Sequence, residues 1–221
     1  MPAVTPKRPA AALPQGLRNT TLLCLVLGGT VGLFSASEAA SLTNLSAIRE
    51  TPTRGSSFFG DPAVMEKASA AQVTAYTQAV EPMQVPRGLT LGALAIACGL
   101  VFVSAGRLLR PQGMPREGMR WLLGGALIAA AMLRAIDGAQ MTVVAKRIGA
   151  AAGKVMLEAE PYRSDPSAYA SMPALVSAMI AGFAVLQTAV VAGGLLALSL
   201  YFRSEKVRKI IAFRDQKPEL P

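Results

Sequence analysis

The sequence predicts an all-α, polytopic membrane protein in which four transmembrane helices form a bundle with helical extracytoplasmic extensions. Three observations lead there. The 221 residues are 52% hydrophobic and 16% charged, and the apolar ones gather into four blocks, roughly 19–37, 88–106, 121–145 and 171–202. A soluble domain of this size would not collect its apolar residues into four long blocks. Spanning about 30 Å of hydrocarbon takes about 20 predominantly apolar residues, with about 17 as the usual lower bound. Ten-residue stretches of alternating polarity, the mark of a barrel, are missing, so the backbone inside lipid has to close its hydrogen bonds within helices. Finally, the +9 formal charge lies on one side of the blocks. Segments 1–18, 107–120 and 203–221 hold 13 Lys/Arg against 4 Asp/Glu, whereas 38–87 and 146–165 hold 8 of each. Lys and Arg concentrate in cytoplasmic segments, so both termini are expected in the cytoplasm and the two longer loops outside a plasma (inner) membrane.

Residues 1–17, with Pro2, Pro6, Pro9 and Pro14 among alanines, read as a disordered cytoplasmic arm. The first span, 18–38, is uncharged between Arg18 and Glu38. Ser37-Glu38-Ala39 has the small residues of a cleavage site, so this stretch is either a retained helix or a signal segment. The full-length uncharged run favours retention, and both readings place residue 41 outside.

The outer loop, 39–86, is too patterned to be a bare connector. Asp61-Pro62 offers an N-cap followed by proline at the first helical position. Met65, Ser69, Val73, Tyr76 and Val80 follow at steps of three and four, which predicts an amphipathic helix over 61–81 ending near Pro82 and Pro86. A helical stripe outside the bilayer wants a cover. Met65, Val73, Tyr76 and Val80 are therefore candidate partner-contact residues, with the projecting third helix as a cover from within the chain.

The second span, 87–109, leads through a cytoplasmic loop at 110–120 to the third, 121–145. The pattern continues through Val144, Ile148, Ala151 and Val155 to about residue 160, giving a helix about 60 Å long. After an outer turn at 161–170 comes the fourth span, 171–202. Its uncharged run allows one helix from near Ser167 to Ile211, with Pro173 in the first turns or at a kink. The tail, 203–221, is basic.

Arg134 and Asp137 are the strongest functional candidates, because they sit three residues apart on one face of the third span. A charge at the centre of a membrane helix costs about 2.5–3.5 kcal/mol on the insertion scale, so such groups face a bundle interior or water. Three roles fit: a self-neutralised pair that fixes helix register, a contact to a partner's membrane helix, or a transport path. Sliding of the helix would also let Arg134 snorkel toward an interface. Gln187, in the fourth span, is positioned to hydrogen-bond either charge. Small-residue pairs such as Gly28/Gly32 and Gly88/Gly92 suit close helix packing, within the chain or between copies.

Enzyme signatures are missing from the sequence. It has no histidine, no phosphate-binding or dinucleotide glycine fingerprint, and no Cys/His metal spacing; no cofactor is expected. Cys24 and Cys98 lie within apolar blocks and read as packed thiols. A pI near 10.1 would suggest nucleic acid in a soluble protein, but here the basic residues sit at helix ends, where orientation and anionic lipid explain them. The expected function is a non-catalytic accessory, scaffold or assembly subunit, with a membrane-protein partner or a homo-oligomer. The competing expectation is a small oligomeric transporter or channel component using Arg134 and Asp137.

Overall fold

The computed structural model describes residues 14–45, 62–110, 116–157 and 166–215, and they are helical almost throughout, with no strand among them. The helices are α1 (Gln15–Leu42), α2 (Pro62–Val80), α3 (Gln84–Leu109), α4 (Arg116–Met156), α5 (Pro166–Arg203) and α6 (Glu205–Asp215), with a 3₁₀ turn at Glu81–Met83. Four stretches are long and apolar enough to cross a membrane: Gln15–Leu42, Glu66–Leu109, Arg116–Val155 and Ser171–Arg203. Of the expected 1–17 arm and 161–170 turn, residues 1–13 and 161–165 lie outside the described residues, as does Asp61, while 15–17 open α1 and 166–170 open α5.

Element boundaries differ from the sequence reading for identifiable reasons. α1 overruns the uncharged block at both ends, and Ser37-Glu38-Ala39 is part of its continuous helix. α2 ends at Val80, just before Pro82, but the chain stays helical beyond it. The 3₁₀ turn carries it from α2 into α3, where Pro86 sits in the first turn and forfeits no intrahelical hydrogen bond. α4 is one helix of 41 residues, about 60 Å long. The last span does not run on to Ile211. It ends at Arg203 because Arg120 Nη1 takes the Phe202 carbonyl at 2.6 Å and Ser204 folds back onto the Tyr201 carbonyl. Ser204 then accepts from the Val207 amide as the N-cap of α6. This break turns Val207 and Ile211 under the other helices, where both are buried.

The spans pack in chain order: α1 along α3, α3 on α4, and α4 along α5, while α1 and α5 meet only marginally. At the basic end, Leu17, Cys24, Leu94, Cys98, Leu123, Leu127, Leu195, Phe202, Val207 and Ile211 form one core. Cys24 and Cys98 are free thiols within it. At the far end, Leu42, Ala79, Val80, Leu91 and Val144 form a second core, into which α2 is folded and from which α5 is absent. Hydroxyls inside the spans, including Thr21, Ser35 and Ser104, donate to carbonyls one turn back and so cost little in an apolar setting.

Between helices in lipid, close backbone approach replaces the hydrophobic drive. Gly28 and Gly32 lie against α3, where an added Cβ would stand 3.0 Å from Val101 Cγ1 and 3.0 Å from Cys98 Cβ respectively. The α4–α5 seam is tighter. A Cβ at Gly149 would sit 2.5 Å from Ser177 Cα, and one at Gly153 would sit 2.6 Å from Pro173 Cα. Gly149→Ala is therefore expected to lower the melting temperature of the detergent-solubilised chain. That holds although alanine is favoured over glycine by about 1 kcal/mol in a helix interior. Gly92→Ala, whose Cβ meets nothing within 4 Å, is expected to leave the melting temperature unchanged or raise it.

Candidate functional site: a charged layer joining three helices

Arg134 and Asp137 are brought together as their spacing predicts, with Arg134 Nη1 donating to Asp137 Oδ2. They do not stand alone. Arg87, in the first turns of α3, donates from Nη2 to Glu38 Oε1 near the end of α1. The same Nη2 lies 3.4 Å from Asp137 Oδ1. A chain of four charges, Glu38–Arg87–Asp137–Arg134, thus links α1, α3 and α4 and sums to zero. Arg87 and Asp137 are each 1% exposed at the side chain, Arg134 19% and Glu38 34%. Arg87 Nη1 also points at Met141 Sδ, 3.4 Å away. One turn before Arg87, Gln84 Nε2 donates to the Leu42 carbonyl, satisfying an end of α1 that would otherwise be orphaned.

Neither Arg87 nor Glu38 stands out as a functional candidate from sequence. A depth signal was available. Glu38 lies 20 residues from Arg18, Arg87 lies 20 from Arg107, and Asp137 lies 17 from Arg120. At 1.5 Å per residue these are distances of about 26–30 Å from the basic end, close to one hydrocarbon thickness. The charges therefore form one layer at a common height.

Gln187 does not join them. Its side chain is exposed and no hydrogen bond ties it to Arg134 or Asp137. At this height α5 turns Thr188 toward α4, where a Cβ on Gly138 would come within 2.1 Å of Thr188 Cγ2. The adjacent residue is rotated by about 100° and faces away. The stripe of α2 is likewise spoken for within the chain. Val80 is fully buried, Tyr76 is half-buried against the Leu42–Leu91–Val144 core, and Val73 is half-buried. Met65 lies in α2, with its side chain outside the described set.

The layer retains unused hydrogen-bonding capacity. Arg87 Nε, Arg134 Nε, Asp137 Oδ1 and Gln140 Oε1 are buried with no hydrogen-bond partner. Asp137 Oδ1 is within ion-pair range of Arg87 but outside hydrogen-bond geometry. The arrangement can hold three helices in register, and it can offer two donors and two acceptors to a small polar species. Among the described residues, no group of three His, Cys, Asp or Glu is placed to hold a metal ion. Comparison with family models, curated proteins and solved structures finds no match.

Proposed function

We propose that the chain is a non-catalytic multi-pass protein of the plasma (inner) membrane, both termini cytoplasmic, acting as an accessory, scaffold or assembly subunit of a membrane complex. The observation that carries this reading lies at the far end of α5. Ser177 Oγ donates to the Lys146 carbonyl at 2.9 Å, so the two residues share a height. There α4 exposes Lys146 and Arg147, while α5, on either side of Ser177, exposes Leu175 at 56% and Met179 at 67%. Lys146 is nine residues beyond Asp137, about 14 Å past the charged layer along the helix. Counted from the basic end, one hydrocarbon thickness of about 30 Å falls short of both the exposed Lys–Arg pair and the apolar strip at its height. An apolar strip outside hydrocarbon marks a protein contact. The charged layer supports the same reading, since its charges cancel within the chain.

One observation favours a second reading, a small oligomeric transporter or channel component: the four buried polar atoms without partners around Asp137. Purification from native membranes in mild detergent, with mass determination of the intact assembly, separates the two. The subunit reading expects a stoichiometric protein partner that photo-crosslinks at position 179. Recovery as a homo-oligomer, with flux in liposomes that Asp137→Asn abolishes, would replace it with the transport reading.

A further inference from the structure

At the basic end, one cation is held in a fixed pose on the outer surface. Arg203 is the last residue of α5, and its backbone is anchored by the Arg120 hydrogen bond to the preceding carbonyl, at 2.6 Å. Ser199 Oγ ties the same turn to the Gly124 carbonyl at 2.8 Å. The Arg203 side chain lies along α4 over Gly124, where an added Cβ would stand 3.3 Å from Arg203 Cγ. Its guanidinium sits 5.7 Å from the centre of the Trp121 ring. Both side chains remain exposed, Trp121 at 67%. Among the described residues no carboxylate forms an ion pair with Arg203. The cation is therefore pre-oriented by packing and by the indole face, not by a paired carboxylate.

Its surroundings are of two kinds. Toward the middle of the spans, Leu122, Leu196 and Leu200 are exposed and apolar. On the other side begins α6, which turns Val207 and Ile211 into the core and leaves Lys206, Arg208, Lys209 and the apolar ring of Phe213 outside. A ligand that meets both must carry an anionic head and an apolar body. We infer that Arg203, Trp121 and Lys206 form a seat for the headgroup of an anionic phospholipid, its acyl chains lying against Leu122, Leu196 and Leu200. The exposed basic face of α6 rests on the same leaflet, as an amphipathic basic helix does at an anionic surface. An orientation signal alone requires basic residues at this end, but it requires neither the glycine bed under Arg203 nor the stacked indole.

Trp121 is the only tryptophan of the chain, so its fluorescence reports on this place alone. The full chain is reconstituted in phosphatidylcholine vesicles containing a minor fraction of phosphatidylglycerol, with either lipid supplied in brominated form as a quencher. The expected result is quenching by both, with phosphatidylglycerol favoured about five-fold over phosphatidylcholine. That is the worth of about 1 kcal/mol for one basic residue near an anionic surface. The preference should fall toward one in the Arg203→Gln/Lys206→Gln variant. It should also fall in wild type at 1 M salt, where the screening length is about 3 Å. The salt measurement decides the matter if the variant misfolds. Equal quenching by the two lipids overturns the inference, as does a preference indifferent to salt. No quenching by either would show that Trp121 does not face lipid and would overturn it too.

Discussion

Arg87→Leu is expected to be the most damaging single substitution in the charged layer. Arg87 is 1% exposed and stands between two carboxylates, hydrogen-bonded to Glu38 and 3.4 Å from Asp137. Its removal leaves the part-exposed Glu38 without its cation and gives Asp137 only Arg134. Breaking a buried pair by deleting one partner costs about 3–5 kcal/mol, mostly the penalty of stranding the other charge. Loss of most of the membrane-inserted protein, with a lower melting temperature of what remains, is the expected outcome. Arg134→Leu should be milder, because Asp137 keeps Arg87 nearby. The network also divides into two neutral halves, which makes the idea testable by compensation. Glu38→Leu with Arg87→Leu leaves the Arg134–Asp137 pair, and Arg134→Leu with Asp137→Leu leaves the Glu38–Arg87 pair. The first double variant should recover most of the abundance that Arg87→Leu loses, and the second most of what Asp137→Leu alone would lose. Wild-type abundance and melting temperature in Arg87→Leu would show that the layer does not hold the helices together.

What the sequence made legible follows from the range of each interaction. Four spans and the amphipathic α2 were readable because hydropathy and period are local. The Arg134–Asp137 pair was readable because three residues along one helix fix a distance without reference to any other helix. The other half of the layer was not. Glu38 and Arg87 are 49 residues apart, and their meeting depends on the registry of α1 against α3. That registry is set by Gly28 and Gly32 seating on Cys98 and Val101, a contact no single-helix pattern encodes. Gln187 was misplaced for a related reason. Its height was right, since its neighbour Thr188 lies opposite Gly138, but rotation about the helix axis decides which residue faces inward. Hydropathy is nearly uniform around α5 and gives no rotation. The break at Ser204 was also hidden, because Arg120, whose side chain takes the Phe202 carbonyl, lies 82 positions before Phe202.

If the proposed subunit reading holds, the double variant Leu175→Asp/Met179→Asp is expected to separate the chain from a partner while leaving its own fold intact. Both residues are largely exposed, at 56% and 67%, so the chain's own packing loses little when they change. If a partner covers them, each contributes about 1.5–3 kcal/mol on burial. Carboxylates in their place would face an apolar surface without counter-charge. A loss of at least about 100-fold in affinity follows, which is about 2.7 kcal/mol, enough to abolish co-purification in mild detergent. The contrast with α2 makes the result specific. Val80 is fully buried among Leu42, Leu91 and Val144, so Val80→Asp should lower the melting temperature of the isolated chain before it affects any partner. Dissociation at unchanged melting temperature for the α5 variant, with the reverse for α2, locates the contact on the α5 strip. An assembly that survives both aspartates at full stoichiometry would remove that strip as the docking surface. The subunit reading would then rest on whatever surface crosslinking found instead.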